Sequence, residues 1–381
     1  MILHPGIIAL LLVSFLMTGM ILYSSFFGIR IIRRWDLRSG SEDQLSLERR
    51  TYLISTILAY AFIFQIGSLF LYIYTADSLH SLFVGAMCAA GVLNVDPYGY
   101  PTFILKILNF ILAGLWLIIN YADNQAYDYP LIRKKYVLLI IIAPLIMTES
   151  ILQMLYFLQM RADVITSCCG SLFSPSKGSI SADIVAIIPL KTAMTESLAQ
   201  ALKTTGTTSD IILSCCQGLL TRETLALIMT IVSVLPVQMA MAGFYLSLAM
   251  TFFSGIFYLI RGKMGLLFSF ASGFFFLISC FSFLSFISLY FYELPTHRCP
   301  FCVLQKEYGY VGYLLYASLL TGAVSGLGVG VLRPFTGIAS LSGCLPLIQK
   351  RLTLLCLVSY LLFAGISIYR MGSTEFTLGV L

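Results

Sequence analysis

Residues 5–38 read PGIIALLLVSFLMTGMILYSSFFGIRIIRRWDLR, an apolar run over 5–29 followed at once by Arg30, Arg33, Arg34 and Arg38. A helix needs about 20 apolar residues to cross about 30 Å of hydrocarbon, and this run is that long. Seven more runs follow, at roughly 51–75, 102–121, 136–160, 224–260, 264–291, 308–332 and 352–370. Composition agrees: 59% of residues are hydrophobic, 10% are charged and mean hydropathy is +0.93. Ordinary soluble domains carry about a quarter charged residues. The expectation is an all-α polytopic membrane protein with about eight transmembrane helices.

Basic residues beside apolar runs mark cytoplasmic loops. Arg30 to Arg38 with Arg49 and Arg50 fill the first such loop, and Arg133, Lys134 and Lys135 the second. Arg261 and Lys263 fall in the third, and Arg333, Lys350 and Arg351 in the fourth. The chain therefore reads N-out and C-out, in a bacterial inner (cytoplasmic) membrane. Its net charge of +6 belongs to this pattern and not to a nucleic-acid partner. The first run is full length and lacks a basic leader, so it reads as a span and not a cleaved signal. The run 224–260 reads as one long helix kinked at Pro236, because dividing it would reverse every later loop. Three regions result: helices over 1–160 with an outer loop at 76–101, an extracytoplasmic loop at 161–223, and helices over 224–381. Within 76–101, residues 79–93 read as a short apolar helix lying at the interface.

The 161–223 loop holds the second copy of an internal repeat and the cysteine end of the first. Met147-Thr148-Glu149-Ser150, Asp163, Ile165 and Ser167-Cys168-Cys169 recur as Met194-Thr195-Glu196-Ser197, Asp210, Ile212 and Ser214-Cys215-Cys216, all at an offset of 47. A further pair, Cys299-Pro300-Phe301-Cys302, precedes the seventh run. Under the expected topology Cys88, Cys168, Cys169, Cys215, Cys216, Cys299 and Cys302 share one side with His4, His80 and His297.

Three chemistries fit these thiols. The first is structural disulfides, suited to an oxidising compartment. The second is thiol–disulfide exchange, in which a helix start, Arg298 and His297 lower the thiol pKa of the Cys299/Cys302 pair. The third is binding of soft metal, copper or zinc, by His297, Cys299, Cys302 and His80.

The Cys-Pro-aromatic-Cys segment at the outer head of a span resembles the vitamin K epoxide reductase family of membrane thiol oxidoreductases, over about 290–320. The resemblance implies that Cys299 and Cys302 exchange electrons with a quinone. It further implies that Cys88 or Cys168, Cys169, Cys215 and Cys216 relay them to an extracytoplasmic thiol partner. The functional expectation is a membrane thiol–disulfide oxidoreductase, or an accessory protein for extracytoplasmic protein maturation. The alternative is a scaffold or metal-handling subunit of a larger membrane complex, serving a thiol protein or metalloprotein.

Other features read as packing. Gly322, Gly326 and Gly330 recur every four residues, which lets helices approach closely. Tyr308, Tyr310, Tyr313 and Tyr316 read as an interfacial anchor, with the wall of a quinone pocket as the alternative. Glu149 is unusual: it lies roughly 16 Å inside its span at 1.5 Å per residue. Thr148, Ser150 and Gln153 are its expected hydrogen-bond partners, while Lys106 is expected to snorkel outward.

Overall fold

The computed structural model describes residues 3–35, 42–126, 128–161, 164, 166, 236–295 and 297–376. Among them all regular structure is helical, and eight helices are long and apolar enough to cross a membrane. In chain order they are α1 (Pro5–Arg34), α2 (Glu42–Ser78), a short α3 (Ala89–Leu93), α4 (Gly99–Asp123), α5 (Ile132–Gln159) and α6 (Val237–Arg261). Then come α7 (Gly265–Ser282), which passes through a π-helical turn (Phe283–Ile287) into α8 (Ser288–Tyr292), followed by α9 (Val311–Leu332) and α10 (Leu345–Ser373).

The polarity of the packed helices is that of a protein compatible with life in a membrane. Phe26, Phe253 and Phe270 are 74%, 75% and 75% exposed, whereas Lys106, Asp123 and Glu149 are 2%, 0% and 2% exposed. Large apolar groups face outward, and ionisable groups face one another inside.

Helices α1, α2, α4 and α5 pack as one group, and α6, α7, α9 and α10 as another. They meet where Gly114 of α4 receives Val324 and Gly328 of α9 receives Ile118. One end gathers the close of α4 and α9 with the start of α5 and α10 in a cluster of Ile119, Leu131, Leu332 and Leu345. There Arg133 donates to the Trp35 carbonyl at 2.7 Å, tying α5 to the close of α1. The other end carries the Cys88 and Cys299 loops.

Several expectations are revised. Pro236 does not kink a long helix. It precedes α6 directly, with φ −56° and ψ 131°, where a missing N–H costs nothing. Residues 224–235 lie outside the described residues. The stretch 79–93 is not one interfacial helix. A 3₁₀ turn at His80–Leu82 breaks off, Gly85 turns with φ +88°, and the α3 that follows is wholly buried. A Cβ on Gly85 would come within 2.0 Å of the Thr166 carbonyl, so only glycine makes that turn.

Lys106 does not snorkel. Its Nζ lies 2.7 Å from Glu149 Oε1, with both side chains buried between α4 and α5. Gln65 and Asn109 amides donate to Glu149 Oε2 at 2.6 and 2.5 Å, and Ser68 accepts from Lys106 at 3.2 Å. The expected partners bond elsewhere: Thr148 to the Pro144 carbonyl, Ser150 to Thr18, and Gln153 to the Leu10 carbonyl. In hydrocarbon an acid finds the nearest strong donors on neighbouring helices, which sequence proximity does not reveal. Asp123 and Lys135 form a second pair at 2.8 Å between the same two helices, with the signs exchanged. The two pairs fix the register of α4 against α5.

On α9, a Cβ on Gly322 would meet the Tyr360 ring at 2.3 Å, and one on Gly326 would meet Ser272 Oγ at 1.9 Å. The glycine row thus seats α9 against both α7 and α10.

Two outcomes follow from this packing. Lys106→Met or Glu149→Gln alone leaves one buried partner without its counter-ion, a cost of about 3–5 kcal/mol. The double variant should recover much of that, read as thermal unfolding midpoints in detergent, and equal midpoints for single and double variants would contradict it. Gly326→Leu should overpack the α7–α9 contact, costing about 1–3 kcal/mol or more by the same readout.

Candidate functional site: a buried three-thiol cluster

Cys88 and Cys299, 211 residues apart in sequence, bring their sulfurs to 3.5 Å. Together with Cys302, all three Sγ atoms lie within 4.8 Å of one another. A disulfide bond is about 2.05 Å long, so Cys88 and Cys299 stand at contact distance, near enough for exchange after a small shift. Cys88 and Cys299 are fully buried, and Cys302 is 6% exposed.

Each thiol is held by backbone contacts from buried tyrosines and a polar clamp. Cys88 immediately precedes α3, whose carbonyls accept from Tyr100 (to Ala90, 3.2 Å) and Tyr156 (to Val92, 2.9 Å). Tyr72 donates to the Gly99 carbonyl at the head of α4. Asp77 Oδ1 accepts from the Ala89 amide and from Gln305 Nε2, both at 3.2 Å. Gln305 also donates to the Met87 carbonyl at 2.7 Å. The residues on either side of Cys88 are thereby fastened to the loop that follows Cys302.

On the opposing loop, Tyr292 donates to the Cys299 carbonyl at 2.6 Å and accepts from the Val303 amide at 3.0 Å. Tyr316 donates to the Pro300 carbonyl at 2.6 Å. The Phe301 amide points at Cys299 Sγ at 3.5 Å. His297 Nε2 lies 3.3 Å from Cys302 Sγ, and its ring stands edge-on to Tyr292.

The pair is not at a helix head. Cys302 opens a 3₁₀ turn (Cys302–Leu304), a second turn (Lys306–Tyr308) follows, and α9 starts only at Val311. The dipole of α9 therefore does not lower these pKa values. Burial, and then the hydrogen bond with Cys302, push the Cys299 thiol well above the ordinary range. Burial also lowers the pKa of His297 and of Arg298. A neutral imidazole beside Cys302 accepts or returns a proton.

Below the thiols, at the junction of the two helix groups, lies a cavity of about 280 Å³ with apolar walls. This is just under the roughly 300–1,000 Å³ typical of small-molecule sites. Leu69 and Ile73 of α2 and Phe103 and Ile107 of α4 form one side, and Phe276 and Cys280 of α7 form the other. Pro300 and Phe301, the two residues between the paired cysteines, line it as well. The π-helical turn supplies Phe283 and Leu284; such turns recur at functional sites. Tyr316 lines this cavity, while Tyr310 stays exposed, so the tyrosine row is not a single interfacial anchor.

The other sequence candidates lie elsewhere. His80 Nδ1 faces the Asp77 carbonyl and borders a separate polar cleft with Lys306 and Glu307, apart from the thiols. Glu149 belongs to the ion-pair network. Cys168, Cys169, Cys215 and Cys216 lie outside the described residues. Thr166, two residues before Cys168, is described: it donates from its amide to the Val84 carbonyl and from its hydroxyl to the Gly91 carbonyl, on either side of Cys88. Sequence reading missed Tyr292, Asp77 and Gln305: Asp77 and Gln305 meet across 228 residues, and Tyr292 acts through the backbone of Cys299 and Val303, which no side-chain pattern marks.

Among the described residues these features define a helical protein with eight helices apt to cross a membrane and a buried trio of thiols beside an apolar cavity. Comparison with protein-family models, curated proteins and solved structures finds no match.

The thiolate is the reactive form of cysteine. Cys299 alkylation should therefore be slow at neutral pH and keep rising with pH beyond the range, about 8.5, where an ordinary thiol is half ionised. Mass spectrometry of timed alkylation measures this. A profile that levels off like that of a peptide thiol would contradict the burial effect.

Proposed function

We propose that this protein is an integral membrane thiol–disulfide oxidoreductase that passes electrons from an extracytoplasmic dithiol to a membrane quinone. The observation that carries the reading is the convergence of Cys88, Cys299 and Cys302 within 4.8 Å above an apolar cavity that the Cys299–Cys302 segment itself lines. The basic loops at the opposite end support an outward-facing thiol end.

In the oxidised form Cys299 and Cys302 share a disulfide. The Cys88 sulfur attacks Cys299 Sγ, so the Cys88–Cys299 bond forms as the Cys299–Cys302 bond breaks. The proton that leaves Cys88 ends on Cys302, next to neutral His297. A partner dithiol then reduces the Cys88–Cys299 bond by the same exchange and becomes a disulfide. The reduced Cys299/Cys302 pair gives two electrons and two protons to a quinone in the cavity, which restores their disulfide and yields quinol. Across the cycle, one dithiol and one quinone become one disulfide and one quinol.

In this reading Cys168 and Cys169, which follow Thr166, are the relay nearest in sequence to the cluster, with Cys215 and Cys216 as their duplicated counterpart. Tyr292 and Tyr316 are positioning residues that hold the Cys299–Cys302 loop over the cavity.

Purified protein given a small dithiol and a short-chain quinone should form quinol. Cys299→Ser and Cys302→Ser should each lower the rate roughly 100-fold or more, on the scale of losing a covalent nucleophile. Phe301→Ala should raise KM for quinone while leaving the disulfide able to form. Quinol formation at the wild-type rate by Cys299→Ser would sink the reading.

A further inference from the structure

We infer that the reduced trio, completed by His297, is a tetrahedral binding site for Zn²⁺. The sulfurs of Cys88, Cys299 and Cys302 already approach one another as ligands of one ion must. With Zn–S near 2.3 Å, tetrahedral angles put neighbouring sulfurs about 3.8 Å apart. The observed set runs from 3.5 Å for Cys88–Cys299 up to no more than 4.8 Å. With Zn–N near 2.0–2.1 Å, a nitrogen and a sulfur on the same ion stand about 3.6 Å apart, and His297 Nε2 is 3.3 Å from Cys302 Sγ. Three sulfurs and one imidazole form a donor set that favours closed-shell soft or borderline ions over magnesium or calcium.

The surroundings suit a closed site. Cys88 and Cys299 are fully buried, while Cys302 and His297 retain some exposure and leave an entrance. Tyr292 stands edge-on to the imidazole and also donates to the Cys299 carbonyl, so one outer side chain orients two of the four ligands. Binding takes three S–H protons into water and leaves a centre with one net negative charge. Arg298, between His297 and Cys299 in the chain, carries a positive charge, and its buried Nε has no hydrogen-bond partner among the described residues. A Cys299–Cys302 disulfide would remove two of the four ligands. The site therefore exists only in the reduced protein, and metal occupancy withholds the thiols from exchange. This regulation rests on the redox reading; the metal site rests on the geometry alone.

The test uses full-length protein in detergent with Cys168, Cys169, Cys215 and Cys216 replaced by Ser, reduced, freed of reductant and titrated with Co²⁺ and then Zn²⁺. One equivalent of Co²⁺ should give thiolate charge-transfer bands and tetrahedral d–d bands, and one equivalent of Zn²⁺ should bleach them. Mass-shift counting should find three thiols fewer open to alkylation with Zn²⁺ than without. Protein oxidised beforehand should show neither effect, a control that needs no new variant. His297→Ala should weaken affinity roughly 10- to 100-fold, and Cys88→Ser should abolish the charge-transfer intensity at one equivalent. Absence of protection, an octahedral cobalt spectrum, or equal uptake by oxidised protein would overturn the site. Zn²⁺ binding without quinone turnover would sink the redox reading alone, and turnover without Zn²⁺ binding would sink this one alone.

Discussion

The ion pair between Lys106 and Glu149 is the constraint on which the first helix group depends. Two opposite charges in a low-dielectric interior attract strongly, yet each loses its water, so the pair is tolerable only when every remaining polar atom is supplied with partners. Gln65, Asn109 and Ser68 provide them, from α2 as well as α4. The second pair, Asp123 with Lys135, repeats the device near the other end of the same two helices. A slip of α4 along α5 by one turn would break both pairs at once. This fixed register carries Tyr72, Tyr100 and Tyr156 to the places where their hydroxyls hold α3 and the head of α4, and Cys88 stands just ahead of α3.

From that point the site is a matter of two loops meeting. The Asp77–Gln305 clamp joins the flanks of Cys88 to the segment beyond Cys302, and Tyr292 and Tyr316 grip the carbonyls of Cys299 and Pro300. Burial has a chemical consequence: it favours the thiol form of Cys299 over the thiolate. Cys302 is the least buried of the three and is the one beside the imidazole.

Much of this was legible in the chain. The apolar runs reveal the eight long helices because hydrocarbon forces the backbone to satisfy itself locally. The four-residue spacing of Gly322, Gly326 and Gly330 also announces close helix contact. Lys106 and Glu149 misled for a definite reason: near a span end a lone lysine gains by reaching water, and only the position of α4 beside α5 turns it inward. The paired cysteines misled in another way. Proline and aromatic between them suggested a helix start with activated thiols, whereas two 3₁₀ turns intervene and burial raises the Cys299 pKa.

The sequence by itself determined which segments are helical and apolar and which loops carry thiols, because these follow from local composition and hydrogen-bonding need. Tertiary structure alone decided that Cys88 meets Cys299 and Cys302, that His297 stands beside Cys302 while His80 borders a separate cleft, and that an apolar cavity opens beneath. The physical reason is that a contact across 211 residues depends on how helices stack and on which buried polar groups find each other. No local pattern encodes either of these.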